Sequence, residues 1–463
     1  MHTPVFDPWQ TAWVYADAVG APRASAALWQ AQRTRRLAAL LSAAQRSRLY
    51  RERLAGAASS GDPWQTLQRL RPVSKRELMQ RFDDWVTDPE LSLPALRRFL
   101  DGGARSGEPW LGRYLVWESS GSSGEPAVFV QDARCLAVFD ALQAARGPVS
   151  LVGPLAPWWQ APQRIALVAA TGGAYASVLS FERARALNPW LAATSRSFSM
   201  QLAPQELAAR LDAYAPTVLA TYPSMAWVLS EEQRAGRLRL ALQAVWTGGE
   251  TLTAAVRRTV AERFRAPVHD SYGASECFVI ADECRHGRLH ANADWVVLEP
   301  ADEQLRPVPD GEPGHTVLLT NLANHVQPVV RYDLGDRVRI VPGGCDCGSS
   351  LPVIEVQGRC DDVLTLADAR GHRVHLSPLA LTTVLEDDAG VFDFQLQGVG
   401  PRALRLAVHE PGAGERAADA LRAFLQTRGL AGTRIAVTEH AGRLPCGASG
   451  KRLRVQASPR PGF

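Results

Sequence analysis

Short apolar runs alternate with helix-length amphipathic segments between about residues 115 and 275. Positions 218–221, 244–247 and 268–272 read as strands, and 224–235 and 254–264 as helices. This βαβαβ order predicts a mostly parallel sheet with helices on both faces. Residues 1–110 show helical spacing instead, with Leu37, Leu40, Leu41 and Leu49 on one apolar face. Ser74 followed by Glu77 is a capping-box signature. From 290 to 357 helical periodicity fades, and β-rich runs such as 317–320 and 338–341 between Gly/Pro turns predict a small β subdomain. After Gly358 the pattern changes again. Runs 392–397 and 403–408 flank Gly398-Val399-Gly400, a hairpin signal, followed by a helix over 415–426 and a strand over 434–438. The fold class is α/β, with a parallel-sheet core, a β subdomain and a separate small α+β block at the C-terminal end.

Composition narrows the classes. A hydrophobic fraction of 46% and a charged fraction of 21% are those of a globular chain of 463 residues, not of a disordered one. A net charge of +4 without a basic block gives no nucleic-acid footprint. The stretch 165–181 is uncharged, but Gly172-Gly173 marks a break within a buried strand-turn unit, not a membrane span. No basic-then-apolar leader pattern opens the chain, and seven cysteines are too sparse for a disulfide framework, so a reduced, cytoplasmic protein is expected. The 51 basic residues comprise 49 arginines and two lysines, Lys75 and Lys451. Arginine replaces lysine well on a solvated surface and badly where a compact ammonium is needed.

Five segments carry candidate chemistry. Ser119-Ser120-Gly121-Ser122-Ser123-Gly124-Glu125-Pro126 lies between two apolar runs, and its N–H and hydroxyl groups suit phosphate oxygens. The same composition also suits a solvent-exposed turn. Ser271-Tyr272-Gly273-Ala274-Ser275-Glu276 follows a strand and offers an aromatic, a tight glycine, a hydroxyl and a carboxylate where open α/β sheets bind nucleotides. Arg331-Tyr332-Asp333-Leu334-Gly335-Asp336, Gly358-Arg359-Cys360-Asp361-Asp362 and Ser449-Gly450-Lys451 each read alone as charged turns or tails.

In order and spacing the five together resemble the adenylate-forming superfamily of acyl- and aryl-CoA ligases, carrier-protein adenylation domains and luciferases. The likeness is to its phenylacetate–CoA ligase-like branch and covers about residues 70 to 455. Thr247-Gly248-Gly249-Glu250, Thr320-Asn321-Leu322 and Pro72-Val73-Ser74-Lys75 agree with it. The resemblance implies a two-step reaction: a carboxylate attacks the α-phosphate of ATP, and a thiol then attacks the acyl-AMP. It implies that Ser119, Ser120, Gly121, Ser122, Ser123 and Gly124 cradle the phosphates and that Glu276 holds Mg²⁺. Ser275 would sit by the α-phosphate, Tyr272 and Gly273 against adenine, and Gly248, Gly249 and Glu250 around the base. Asp336 would accept the ribose hydroxyls, Arg359 would contact ribose or phosphate, and Lys451 would bridge the attacking carboxylate and the α-phosphate. The implied domains are a large one over 1–357, a hinge over 358–361 centred on Asp361, and a small mobile lid over 362–463. Glu125 departs from the family, whose loop usually carries lysine there. That leaves open a degenerate nucleotide-binding protein on the same fold.

Cys284 and His290, with Cys345 and Cys347 after a further 54 residues, have ligand types for a tetrahedral Cys₃His zinc site. Some members of the branch carry such a structural zinc, and His290 is preferred to His286 as the fourth ligand. Three ordinary reduced cysteines are the other reading. Trp158, Trp159, Ala170, Gly172, Gly173, Tyr222 and Ala274 are candidate acid-pocket walls, which favour a small aromatic acid such as a hydroxybenzoate or phenylacetate. The thiol would belong to coenzyme A or to the phosphopantetheine of a free-standing acyl carrier protein. An amine acceptor, giving an amide, is the alternative.

Overall fold

The computed structural model describes residues 5–56, 61–102, 107–119, 126–147, 163–410, 412–440, 444 and 454–457. The chain opens with helices, among them Pro8–Gly20, Ala26–Ala44, Arg48–Ala55, Pro63–Arg69 and Lys75–Gln80. Local chemistry starts them. Asp7, Ser47, Asp62 and Ser74 each accept a backbone N–H from the first turn, which pairs a donor the helix cannot satisfy internally. Leu37, Leu40, Leu41 and Leu49 are buried, as their spacing predicts. Glu77 does not complete the capping box; its carboxylate pairs with Arg53 at 2.8 Å.

Strands β1 (Leu115–Glu118) and β2 (Val128–Gln131) form an antiparallel pair around the Gly/Ser segment. Strands β3 (Ile165–Ala169), β4 (Ser195–Ser199), β5 (Val218–Thr221), β6 (Ala244–Gly248) and β7 (Val268–Ala274) run parallel. Next come β8 (Cys277–Glu283), β9 (Leu289–Ala291), β10 (Val296–Ala301), β11 (Thr316–Asn321), β12 (Tyr332–Asp333), β13 (Asp336–Val341) and β14 (Val353–Arg359). The large sheet has the order β13-β14-β9-β8-β7-β6-β5-β3-β4, and β10-β11-β12 form a second sheet. The stretch from 290 to 357 is therefore less separate than expected: β9, β13 and β14 extend the main sheet antiparallel. Short β-runs carry a face but no label for their partner, which is why periodicity missed this.

Beyond Arg359 lie β15 (Leu364–Ala367), β16 (Arg373–Leu376), β17 (Phe394–Gly400), β18 (Ala403–Val408), β19 (Arg434–Glu439) and β20 (Val455–Gln456). Helix Pro378–Thr383 runs into a π-turn at Val384–Asp388, and helix Ala413–Thr427 lies between β18 and β19. The order β19-β18-β17-β20 and helix Ala413–Thr427 enclose a core of their own, including Leu385, Phe394, Leu406 and Leu421. The expected turn at Gly398-Val399-Gly400 is displaced. These residues lie within β17 at a register irregularity, and the chain reverses over Pro401 and Arg402. Glycine inside a strand commonly marks a bulge. Among the described residues no helix is long and apolar enough to cross a membrane.

The β7–β8 pair carries the tightest backbone approach in this region. Its register shifts between Tyr272 and Ala274, and a Cβ on Gly273 would stand 2.1 Å from the Phe278 carbonyl oxygen. Gly273→Ala is expected to cost about 2 kcal/mol or more, the scale of overpacking, and to lower the melting temperature. Gly20→Ala, in helical backbone with nothing within 4 Å of the added carbon, should leave it unchanged or raise it slightly.

Candidate active site

The C-terminal ends of β6 and β7 open into the crevice where ligands of open α/β sheets bind. Beyond β7 the chain turns through Ser275 and Glu276 into β8. Two side chains hold this turn by its carbonyls: Trp117 Nε1 donates to Ser275 O at 2.8 Å, and Asn321 Nδ2 to Glu276 O at 3.1 Å. Glu276 is only 8% exposed, and its Oε1 accepts the Tyr332 hydroxyl at 2.7 Å. Burial pushes the Glu276 carboxyl upward, and the Tyr332 bond opposes that shift.

Tyr272 donates its hydroxyl to Asp336 Oδ2 at 2.7 Å, and Arg359 Nη1 donates to Asp336 Oδ1 at 3.1 Å. Three segments far apart in sequence thus share one carboxylate. Gly335 makes room for this. Its φ is +75°, and a Cβ there would lie 2.7 Å from Arg359 Nη2. Burial, with Asp336 adding to it, drives the Tyr272 hydroxyl well above its ordinary range, so it acts as a donor. Asp361 is largely exposed, 3.7 Å from Arg359.

The Gly-Gly-Glu turn is packed closely against this strand end. A Cβ on Gly248 would meet Ser271 Oγ at 2.9 Å, and Gly249 has a φ of +76°. Glu250 accepts from both the N–H and the hydroxyl of Ser224 at 3.1 Å, so it anchors the start of helix Pro223–Arg234. On the acid side, Ala170 and Tyr222 are buried, Gly172 lies beside Gln201, and the Tyr175 ring lies 2.9 Å from where a Gly173 Cβ would stand. Ala274 packs against the core of the N-terminal part. Ser119 closes the mouth of the β1–β2 pair: its N–H donates to Ala127 O at 2.8 Å, and its hydroxyl accepts from Ala127 N at 2.9 Å. Ser120, Gly121, Ser122, Ser123, Gly124, Glu125, Trp158, Trp159 and Lys451 lie outside the described residues.

Lys75 was given no role by sequence reasoning, and the structure brings it to this crevice. Val73 bridges Tyr332 and exchanges backbone bonds with Arg331 O and Asp333 N, each at 2.9 Å. Lys75 follows two residues later, half-buried. Burial lowers its affinity for a proton, the Glu276 carboxylate opposes that, and Arg359 reinforces it. The available signal was lysine scarcity, since one of only two lysines stands here.

A second cluster lies at the far edge of the sheet. Ligand atoms of Cys284, His290, Cys345 and Cys347 all fall within 4.8 Å of one another. Cys284 Sγ and Cys345 Sγ are 3.8 Å apart, which matches the edge of a tetrahedron with Zn–S bonds of about 2.3 Å. Cys347 Sγ is 3.3 Å from His290 Nε2. His290 Nδ1 is 2.8 Å from Leu351 O, which assigns its proton to Nδ1 and leaves Nε2 for a ligand. His286 is exposed and turned to Arg285. The four groups join the β8–β9 turn to the β13–β14 loop, and their donor set fits zinc.

Comparison with known proteins gives a family match and fold likenesses. Residues 180–320 match the AMP-binding enzyme family model. No curated protein sequence matches the chain. Among solved structures, 2-hydroxyisobutyryl-CoA ligase in the postadenylation state superposes with a TM-score of 0.68 at 20% identity, over 95% of this chain and 92% of that one. The anthranilate CoA ligase AuaEII with anthranoyl-AMP gives 0.52 at 16% identity, over 73% of this chain and 65% of that one. The amide bond synthetase McbA from Marinactinospora thermotolerans gives 0.50 at 15% identity, over 72% and 66%. The matched segment contains β4 to β10 and the crevice between them, so residues 180–320 carry the likeness to AMP-binding enzymes and the chain as a whole shares the fold of these ligases.

Proposed function

We propose that the chain is an AMP-forming acid–thiol ligase: it joins a carboxylic acid to ATP as an acyl-AMP and passes the acyl group to the thiol of coenzyme A. The observation that carries this reading is the convergence of Tyr272, Asp336, Arg359, Glu276 and Tyr332 at the ends of β6 and β7. Asp336 presents a fixed carboxylate to ribose hydroxyls, and the Tyr272 ring flanks the base. A substrate carboxylate oxygen attacks the α-phosphorus while pyrophosphate leaves. Charge then builds on the phosphoryl oxygens, where fixed donors act most strongly. Arg359 and Lys75 supply cationic charge from the described residues, and Lys451 is the cation proposed at the reacting oxygens. Glu276 would hold Mg²⁺, which offsets triphosphate charge. The thiol next attacks the acyl carbonyl and AMP departs.

For the acid, Tyr175 and Tyr222 support a compact, flat substrate, and a small aromatic acid is the proposed class. Coenzyme A is favoured as acceptor by the names of the two CoA ligases that share the fold. An amide-forming variant rests on the likeness to the amide bond synthetase.

Acid-dependent ATP–pyrophosphate exchange across an aromatic and small hydroxy-acid panel tests the reading; exchange with at least one acid is expected, and none with any would overturn it. Lys451→Arg should lower exchange about 100-fold or more, the scale of losing a fixed electrostatic contact, without changing the melting temperature. Lys75→Met should raise the KM for ATP about tenfold, matching one charge-assisted bond, with kcat little altered. The purified protein should contain one zinc per chain by elemental analysis, lost in Cys345→Ser together with several degrees of thermal stability; metal-free wild-type protein of undiminished stability would refute the zinc assignment.

A further inference from the structure

Glu386 is buried to 2% exposure in the π-turn Val384–Asp388, a place where a carboxylate is costly unless paired. π-turns occur frequently at functional sites. Its two oxygens have different partners. Oε2 accepts the hydroxyl of Thr253, and Oε1 pairs with the guanidinium of Arg454. Thr253 belongs to the large sheet's layer of helices, where it is the N-cap of Ala254–Phe264 and accepts Val256 N–H at 3.2 Å. Arg454 belongs to the other end of the chain. Its carbonyl accepts Leu396 N–H at 2.7 Å, its neighbour Val455 pairs with Leu396, and its guanidinium lies 5.5 Å from the Phe394 ring centroid.

One carboxylate therefore connects a helix of the sheet domain to the strand β20 that closes the C-terminal block. Two other side-chain contacts flank it. Arg258 pairs with Asp387, and Trp227 stacks on Phe392 at 5.5 Å with rings 15° apart. Neither of those reaches β20. Lys451 stands three residues before Arg454, and three residues span at most about 11 Å. The position of Arg454 thus bounds the reach of the lysine wherever the intervening chain runs.

We infer that Glu386 is a positioning residue for the adenylation step. Through Thr253 on one side and Arg454 on the other, it holds Arg454, three residues after Lys451 in sequence, to the sheet domain, and it releases that hold when the small domain moves for thiol transfer. The inference rests on the ligase reading above. Thr253 contributes an uncharged hydroxyl, so its loss leaves the Glu386–Arg454 pair intact. That places the breakable junction between the two domains and the permanent one within the small domain.

The test separates the half-reactions. ATP–pyrophosphate exchange reports adenylation, and thioester formation from supplied acyl-adenylate and coenzyme A reports transfer. Thr253→Val and Glu386→Gln should lower kcat for exchange at least about tenfold, as small misplacements of reacting groups do. They should leave the KM for ATP and the transfer rate unchanged. Small-angle scattering of Thr253→Val should show a larger radius of gyration than wild type, with a melting temperature lowered only by the lost helix cap. Arg454→Lys should recover part of the exchange that Arg454→Met loses. Equal losses in both half-reactions, or normal exchange and normal radius in Thr253→Val, would overturn the inference. Wild-type protein without exchange for any acid would instead refute the ligase reading, a result distinct from an active wild type with indifferent variants.

Discussion

The carboxylate of Asp336, shared between Tyr272 and Arg359, is the contact on which the site depends. Asp336 opens β13, Arg359 ends β14, and Tyr272 stands on β7 near the middle of the sheet. These strands do not neighbour one another except for β13 and β14, so the bond spans sheet that backbone pairing alone does not lock. Buried charge explains why it persists. An isolated carboxylate in this crevice would face the desolvation cost of leaving water, and a fixed guanidinium and a phenol offset it. Glu276 faces the same cost with Tyr332 as its hydrogen-bond partner and Lys75 as its nearby cation. The crevice therefore holds acids beside cations before any ligand enters, Asp336 with Arg359 and Glu276 near Lys75.

Sheet topology decides where this balance forms. The parallel strands end at β7, and the chain then folds back as β8, β9 and β14. That reversal needs a backbone contact between Gly273 and Phe278 too close for any side chain, and the Asp336–Arg359 contact needs a second glycine at Gly335. The helical N-terminal part adds the last component by strand pairing, since Val73 bridges Tyr332 and so carries Lys75 inward. At the other end of the same strands, the Cys/His cluster ties the β8–β9 turn to the β13–β14 loop. Both ends of the β13–β14 pair are thus fastened by side-chain chemistry.

Much of this was legible in the sequence, for reasons that differ by element. The βαβαβ run appeared because parallel strands buried on both faces give continuous apolar segments between amphipathic helices. Ser74 sits where capping chemistry puts it. The Tyr272–Glu276, Arg331–Asp336 and Arg359 segments meet in space, as a shared motif order implies, and His290 rather than His286 turns to the cysteines. Partners across long separations were not legible. Nothing in the spacing shows that β9, β13 and β14 join the main sheet, that Glu250 binds Ser224, or that Glu386 reaches both Thr253 and Arg454. The hairpin turn was misplaced because glycine marks both turns and bulges, and here Gly398 and Gly400 sit at an irregularity within β17. Lys75 was overlooked because its neighbours in sequence describe a helix start, whereas its charged neighbours in space, Glu276 and Arg359, belong to the crevice.

In the proposed reaction a carboxylate oxygen attacks the α-phosphorus of ATP in this crevice. Supplying the accepted acid with both carboxyl oxygens as oxygen-18, with ATP and coenzyme A, and weighing the nucleotide product by mass spectrometry tests it most directly. AMP carrying a single oxygen-18 atom is the expected product, because the bridging oxygen stays with phosphorus when the thiol displaces AMP from the acyl carbon. Unlabelled AMP, or ADP with labelled orthophosphate, would contradict it.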